Sequence, residues 1–458
     1  MLAWTIYLSF AGALLCLLTR DARTTRGVAL GTALGGLLCA LAGALQFKPV
    51  NGLEVIANSP WVPALGINYS LAADGISVTL VVLTGLAAVA GVLFSWNVER
   101  RTNEFFAYFF ALIGGVYGVF LSLDLFLLFV FYEIAIVPKY FLIAIWGSTR
   151  REYAAMKLAL YSFIGSGMVL VGMLAAYAIS GLGTFDLRTL AHHAFTPEFQ
   201  QWAFPLVFVG FAILAGMWPF HTWAPDTYQG APTPVTAFLS VASKAAGFAG
   251  LVTMVYVAFP AAKDVYQPFM WVLAAVTMTL GNLVALRQTN IVRMLAYSSI
   301  SQGGFILMPL TVAGTGDAAG PALRAVLVYL LLYAATNLGI FAVIIAVSRK
   351  TRSGEISSFG GLFSYAPGLA VMMTIFLASL AGIPPLGGWI GKFSAFQAVL
   401  EAGTGWAYAI AIVGAVNSMY ASATCVAPSF ARSPASSAAK GSFQRASRAP
   451  CASRMAAS

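Results

Sequence analysis

Five ionisable side chains sit where the sequence is otherwise apolar, and they set the chemistry to look for. Glu133 lies in the run from Leu125 to Pro138, nine residues after Asp124, or ~13 Å along a helix. A carboxylate at that depth suits a group that takes up and releases protons. Lys139 follows six residues later, about 240° around a helix from Glu133, so the two do not share a face. It either meets another helix or reaches toward the surface. Lys244 is the one Asp, Glu, Lys or Arg between Asp226 and Lys263, among small residues that allow close helix packing. Lys392 follows a Gly-Pro-Pro stretch that frees backbone carbonyls and admits water. His221 follows Trp218-Pro219-Phe220 and carries the side chain that titrates near neutrality. A charge at the bilayer centre costs at least ~2.5–3.5 kcal/mol on insertion scales, so such residues are usually functional. The competing reading is permanent pairing with a neighbouring helix. His192 and His193 fall in a loop and read as solvated. Ser298, Ser299, Ser301 and Gln302, with Tyr333, Thr336 and Asn337, serve equally well as water-bridged contacts or as polar glue between helices.

Those side chains need a membrane around them, and the composition supplies one. The chain has 458 residues, 60% hydrophobic and only 9% charged, against about 25% charged in soluble domains. The mean hydropathy is +0.85. A soluble protein, a disordered chain and a nucleic-acid binder are excluded. Half of the net charge of +10 comes from a tail with Arg432, Lys440, Arg445, Arg448 and Arg454 and no acid. Cys16, Cys39, Cys425 and Cys451 form no C-x-x-C pair, so neither a metal site nor a disulfide framework is indicated. No dinucleotide fingerprint, haem attachment, iron–sulfur spacing or P-loop occurs.

The expected fold is an all-α polytopic membrane protein with about 13 transmembrane helices of roughly 20 residues each. The segments fall near 2–19, 27–45, 75–96, 105–122, 124–146, 155–180, 201–224, 233–259, 267–286, 292–312, 323–347, 368–391 and 404–425. The first is apolar from Leu2 without a basic region before it, a span and not a cleaved signal. Loops after odd-numbered segments hold Arg20, Arg23 and Arg26, then Arg100 and Arg101, Arg150 and Arg151, Arg287, and Arg349, Lys350 and Arg352. In the others, charges offset: Lys48 with Glu54, Arg188 with Asp186 and Glu198, Lys263 with Asp264. Cytoplasmic loops are Lys/Arg-rich, which puts the N-terminus outside. The seventh and twelfth segments are broken, at Met217-Trp218-Pro219-Phe220 and at Gly382 to Gly388. Broken backbone survives at depth only when buried or lining a wet cavity, and paired breaks mark transporters. Two inverted five-helix repeats follow, segments 4–8 and 9–13. Residues 1–104 form an N-terminal set of three helices, 105–427 the core, and 428–458 a Ser/Ala-rich tail read as disordered or non-native.

Longer motifs carry a family resemblance over roughly residues 1–420. Leu123-Asp124 through Glu133, Pro138-Lys139 through Gly147, and Asp74-Gly75-Ile76-Ser77 resemble chain M of the antiporter-like, proton-translocating subunits of respiratory complex I (NADH:quinone oxidoreductase). Pro219-Phe220-His221 through Leu239, Gln288 through Ser299, and Ala381 through Phe393 are similar to chain N. The resemblance implies a proton relay in which Glu133 matches an essential glutamate, Lys244 the eighth-span lysine and Lys392 the twelfth-span lysine of chain N. It implies a translocase role as a subunit, without a redox centre in this chain. NADH, FMN, iron–sulfur clusters and quinone are expected in partner subunits. Other membrane-arm subunits, the lipid bilayer and protons are the expected partners, in a bacterial inner membrane. Three departures stand out: Leu214 and Val292 replace family lysines, and the pattern ends near Tyr420. Lys139 or His221 would then substitute for the missing seventh-span lysine. The alternatives are a subunit of a multisubunit Na+/H+ antiporter or membrane-bound hydrogenase, or a non-pumping scaffold.

Overall fold

Short side chains that bond backbone start four of the helices here. The carboxylates of Asp21, Asp74 and Asp124 and the amide of Asn290 each accept from backbone N–H groups of the first turn that follows. Such caps satisfy donors that a helix leaves orphaned at its N-terminus. Asp74 and Asp124, noticed in the sequence as parts of motifs, therefore do structural work as caps.

The computed structural model describes residues 1–49, 52–253, 263–313 and 319–430. The chain runs through α1 (Ala3–Leu18), α2 (Ala22–Gln46), β1 (Glu54–Val62), β2 (Ile67–Ala73), α3 (Gly75–Phe94), α4 (Thr102–Leu121), α5 (Leu125–Trp146) and α6 (Arg151–Ser180). A short α7 (Leu187–Ala191) leads to α8 (Pro197–Ala215), α9 (Trp223–Gly230), α10 (Thr233–Phe238) and α11 (Lys244–Thr253). After these come α12 (Lys263–Ala285), α13 (Ile291–Leu310), α14 (Ala319–Thr351), α15 (Leu362–Tyr365), α16 (Pro367–Ala381), α17 (Gly387–Glu401) and α18 (Gly405–Phe430).

The fold is the expected all-α multi-pass membrane bundle. Over the described residues, the thirteen apolar segments coincide with helices or broken helices; the end of the eighth, 254–259, lies outside the described residues. Among the described residues, nine helical segments are long and apolar enough to cross a bilayer. The expected tail, residues 428–458, lies outside the described residues except for 428–430, the end of α18.

Two segment boundaries differ from the sequence reading. The seventh segment, expected at 201–224, is α8 plus a separate α9 that runs on to Gly230. The twelfth, expected to end at 391, continues through α17 to Glu401. In both cases the chain resumes a helix after the break, which an apolar count underestimates because the second halves carry Asp226 and Lys392. The region between α2 and α3 also forms an antiparallel hairpin, paired from Glu54↔Ala73 to Val62↔Ile67. Pro60 and two register shifts blur its alternation in the sequence. Gly66 turns the hairpin at φ +66°, and a Cβ there would strike the Gly183 carbonyl. The Asn68 N–H donates to the Asp124 carboxylate at 3.0 Å, so the hairpin is tied to the start of α5.

Two stretches of the bundle repeat the same local devices. The strand-like pairing of Leu123 and Leu125 with Phe185 and Leu187 recurs as Thr289 and Ile291 with Gly354 and Ile356. In one case Asp124 caps the helix that follows, in the other Asn290. Each stretch then contains a helix that stops at a left-handed glycine, Gly216 or Gly382, followed by a cis X-Pro bond. Between the two stretches lies the 233–253 segment, most of it buried, where α10 packs on α3 and α14. Its middle, Leu239–Ser243, is a π-helical turn.

Candidate functional site

The last carbonyls of a helix have no partner within the helix, and its C-terminus carries partial negative charge. α8 and α16 both end inside the protein, and each end is met by a lysine. The Lys244 ammonium, reaching over from α11, donates to the Ala215 carbonyl at 3.1 Å and to the Ser299 carbonyl at 2.8 Å. The Lys392 ammonium, from α17, donates to the Ala381 carbonyl at 2.7 Å and lies 4.7 Å from the centre of the Phe305 ring. Backbone N–H groups complete both ends in matched fashion. Met217 bonds the Ala212 carbonyl at 3.0 Å, and Ile383 bonds the Ala378 carbonyl at 3.1 Å. At the first end, the Trp223 indole adds a bond to the Ile213 carbonyl at 2.9 Å. At the second, Gly382 holds φ +90°, a conformation that favours glycine, and a Cβ there would lie 2.8 Å from Lys392 Cδ.

Lys139 is buried, 2% exposed, and does not reach for the surface. Its ammonium donates to Ser243 Oγ at 2.8 Å. Ser243 closes the π-helical turn and immediately precedes Lys244, so two of the three lysines meet the same short stretch of chain. Among the described residues, neither Lys139 nor Lys244 forms a salt bridge. Both are held by neutral oxygens, an arrangement that lets a proton leave without breaking an ion pair.

Glu133 departs from the expected buried line. It is half-buried on the open side of α5, one turn from Val137, which is 43% exposed. Residues four apart share a helix face, and that face of α5 is the less covered one. Among the described residues Glu133 makes no hydrogen bond or ion pair. His221 lies in the link between α8 and α9, its ring edge-on to Tyr297 at 6.4 Å and its Nδ1 buried without a partner. His193 packs against Phe195 beyond α7, and His192 is exposed, both outside this cluster.

The polar residues of α13 and α14 face the lysines. Tyr333 donates to Ser299 Oγ at 2.8 Å, Asn337 to Ser240, Tyr329 to Gln302, and Gln302 to the Leu380 carbonyl at 3.2 Å. Thr336 bonds Ser379 at 3.1 Å, while Ser301 Oγ is buried without a partner. A small cavity of about 10 Å³ is lined by Lys244, Ser299, Tyr228 and Leu214. Position 214, where the resemblance anticipates a lysine, thus faces the site with an apolar side chain. Val292 is buried at the start of α13.

Sequence reasoning missed one charged cluster. Asp226 on α9 accepts from Lys157 of α6 and from Arg293 of α13, both at 2.6 Å, and Arg293 also reaches Gln229 at 3.2 Å. No spacing rule connects residues so far apart. The available signal was an aspartate in an otherwise apolar helical setting, with one basic residue near the start of each of two other helices.

Residues 122–418 match the family model described as NADH:quinone oxidoreductase/Mrp antiporter, transmembrane. A protein named NADH-quinone oxidoreductase subunit N 2, from Roseiflexus castenholzii, is 36% identical over 401 residues, covering 83% of this chain and 80% of that one. Subunit M of the same enzyme from Rhodobacter capsulatus is 30% identical over 410 residues, covering 86% of this chain and 78% of that one. A chain of respiratory complex I from Thermus thermophilus superposes with a TM-score of 0.83 at 24% identity, over 94% of this chain and 89% of that one. The last of these speaks to the fold; the family match and the two relatives carry the assignment. With lysines closing both helix breaks, and with M and N subunits alike among its relatives, this chain belongs to the NADH:quinone oxidoreductase/Mrp antiporter family of membrane subunits.

Proposed function

We propose that the chain is an antiporter-like membrane-arm subunit of an NADH:quinone oxidoreductase and translocates protons, coupled to electron transfer in its partners. The observation that carries this reading is the pair of lysines at the negative ends of two interrupted helices, joined by buried hydroxyl, phenol and amide groups. Neighbouring charges shift proton affinity by units. A change of field along the membrane arm therefore favours uptake at one group and release at the next, along Lys139, Lys244 and Lys392. Glu133, on the open side of α5, receives that change from a neighbouring subunit. Lys139 supplies from α5 the cation that the resemblance places at position 214, and His221 serves the approach to Lys244 past α9. The 105–427 region is the translocating core, and the first three helices flank it. NADH, FMN, iron–sulfur clusters and quinone belong to partner subunits, and the N-terminus faces the outside of a bacterial inner membrane.

Glu133→Gln keeps the shape and removes titration. In native membrane vesicles it should strongly reduce proton uptake per NADH oxidised, and so should Lys139→Met. Wild-type uptake in the glutamine variant would refute the role of Glu133. Recovery of the tagged chain with flavin and iron–sulfur subunits supports this parent complex. Recovery with cation-antiporter subunits instead would move the chain to the other branch of its family.

A further inference from the structure

Two cavities lie one after the other along the lysine line. The first, with about 10 Å³ open to a water, is lined by Lys244, Ser299 and Tyr228. The second, also about 10 Å³, is lined by Gln302, Tyr329, Tyr333, Thr336 and Ser379, with Gly388 and Gly391 of the helix that carries Lys392. Their walls meet at one hydrogen bond: Ser299 lines the first, Tyr333 lines the second, and the Tyr333 hydroxyl donates to Ser299 Oγ at 2.8 Å. Both residues are buried, 3% and 4% exposed. Ser299 also holds Lys244 through its backbone carbonyl. Each has room for about one water, held by the polar groups that line it. The two hydroxyls at this contact can each both donate and accept.

We infer that the Tyr333–Ser299 hydroxyl pair is the crossing through which protons pass between the Lys244 cavity and the cavity beside α17, the helix that carries Lys392. The inference rests on the proton-translocating reading and names two residues within it. For a proton coming from the Lys244 side, both hydroxyls first turn so that Ser299 donates to Tyr333. Water in the first cavity then gives a proton to Ser299 Oγ as the Ser299 proton moves to the Tyr333 oxygen. The original Tyr333 proton leaves to water in the second cavity. At each oxygen one O–H bond forms and one breaks, one proton has crossed, and neither group is left charged. Rotation of both hydroxyls resets the pair.

The test measures protons translocated per NADH oxidised in native vesicles, beside assembly of the whole complex and its NADH oxidation with an artificial acceptor. Tyr333→Phe and Ser299→Ala should each lower translocation to the level of Lys244→Met, with assembly and acceptor activity retained. The double variant should fall no further, and Ser299→Thr should keep translocation because it keeps the hydroxyl. Tyr117→Phe, a buried phenol on α4 away from the lysines, should change nothing. Wild-type translocation in Tyr333→Phe or Ser299→Ala, alongside a loss in Lys244→Met, overturns the crossing and leaves the functional reading intact. Wild-type translocation in Lys244→Met overturns that reading itself. If Tyr333→Phe fails to assemble, the alanine and threonine variants of Ser299 decide.

Discussion

The two helix breaks share a backbone and differ in what backs them. At the first, the α8 end receives its lysine from α11, a different element, and the resumed helix α9 carries Asp226, clamped between Lys157 and Arg293. At the second, the resumed helix α17 itself carries the lysine that meets the α16 end, and Ser379 spans the gap by accepting from the Gly388 N–H at 2.9 Å. The same interruption has thus been closed once by distant charges and once locally. The first break takes its charged groups from three other helices, while the second takes its lysine from its own resumed helix and neutral contacts from Gln302 of α13 and Thr336 of α14. Charge changes around α9 should therefore reach three other helices, and a charge change on α17 should act first at the α16 end.

The comparison is broken most directly by removing each lysine. Lys244→Met strips the Ala215 and Ser299 carbonyls of a partner, and Lys392→Met strips Ala381. Each should abolish this subunit's share of proton translocation. The first should also lower thermal stability more, since it orphans the Ala215 carbonyl at about 1–3 kcal/mol per unsatisfied buried group and also cuts the tie from α11 to α13 at Ser299. Equal stability of the two variants in a detergent melting experiment would show that the breaks are backed alike. A smaller effect is expected from Asp226→Asn, which leaves Lys157 and Arg293 facing each other across a weakened acceptor. All three groups are partly exposed, so a loss of about 1–3 kcal/mol is expected, below the range for fully buried pairs. A Tm unchanged from wild type would remove the clamp from the account. The smallest and sharpest difference concerns the two left-handed glycines. Alanine costs about 1–2 kcal/mol in that conformation at either site. At position 216 its Cβ meets only Ala224 at 3.9 Å, whereas at 382 it meets Lys392. Gly216→Ala should lose a little stability and keep translocation, and Gly382→Ala should lose both.

Much of this was legible in the sequence, for physical reasons that particular residues make plain. Apolar length marks a span, and Pro219 and Pro384 mark interruptions, because both signals are local. Lys244 and Lys392 stood out because a bilayer makes any charge conspicuous. Glu133 was placed on the right helix, but its half-buried state depends on which face of α5 its neighbours leave open, and helix periodicity alone does not decide that. The partner of Lys139, Ser243, is 104 residues away, and its position depends on a π-helical turn that no residue pattern announced. Asp226 was passed over for the same reason: its partners come from α6 and α13. The hairpin was hidden by its own irregularity. The fold assignment therefore came from local rules, whereas the wiring of the site came from tertiary packing.

The interrupted helices also bear on how the protein enters its membrane. α16 has 15 residues and so spans roughly 22 Å, short of the ~30 Å of hydrocarbon. It cannot cross alone, and the open backbone at Gly382–Leu386 is costly in lipid until other protein covers it. The covering groups, Thr336 on α14 and Gln302 on α13, are synthesised earlier. The late segments must therefore leave the insertion machinery as a joined pair and dock onto helices already in place. That fixes an order of assembly in which the cluster around Lys244 and Lys392 is completed only after the late helices have docked on α13 and α14.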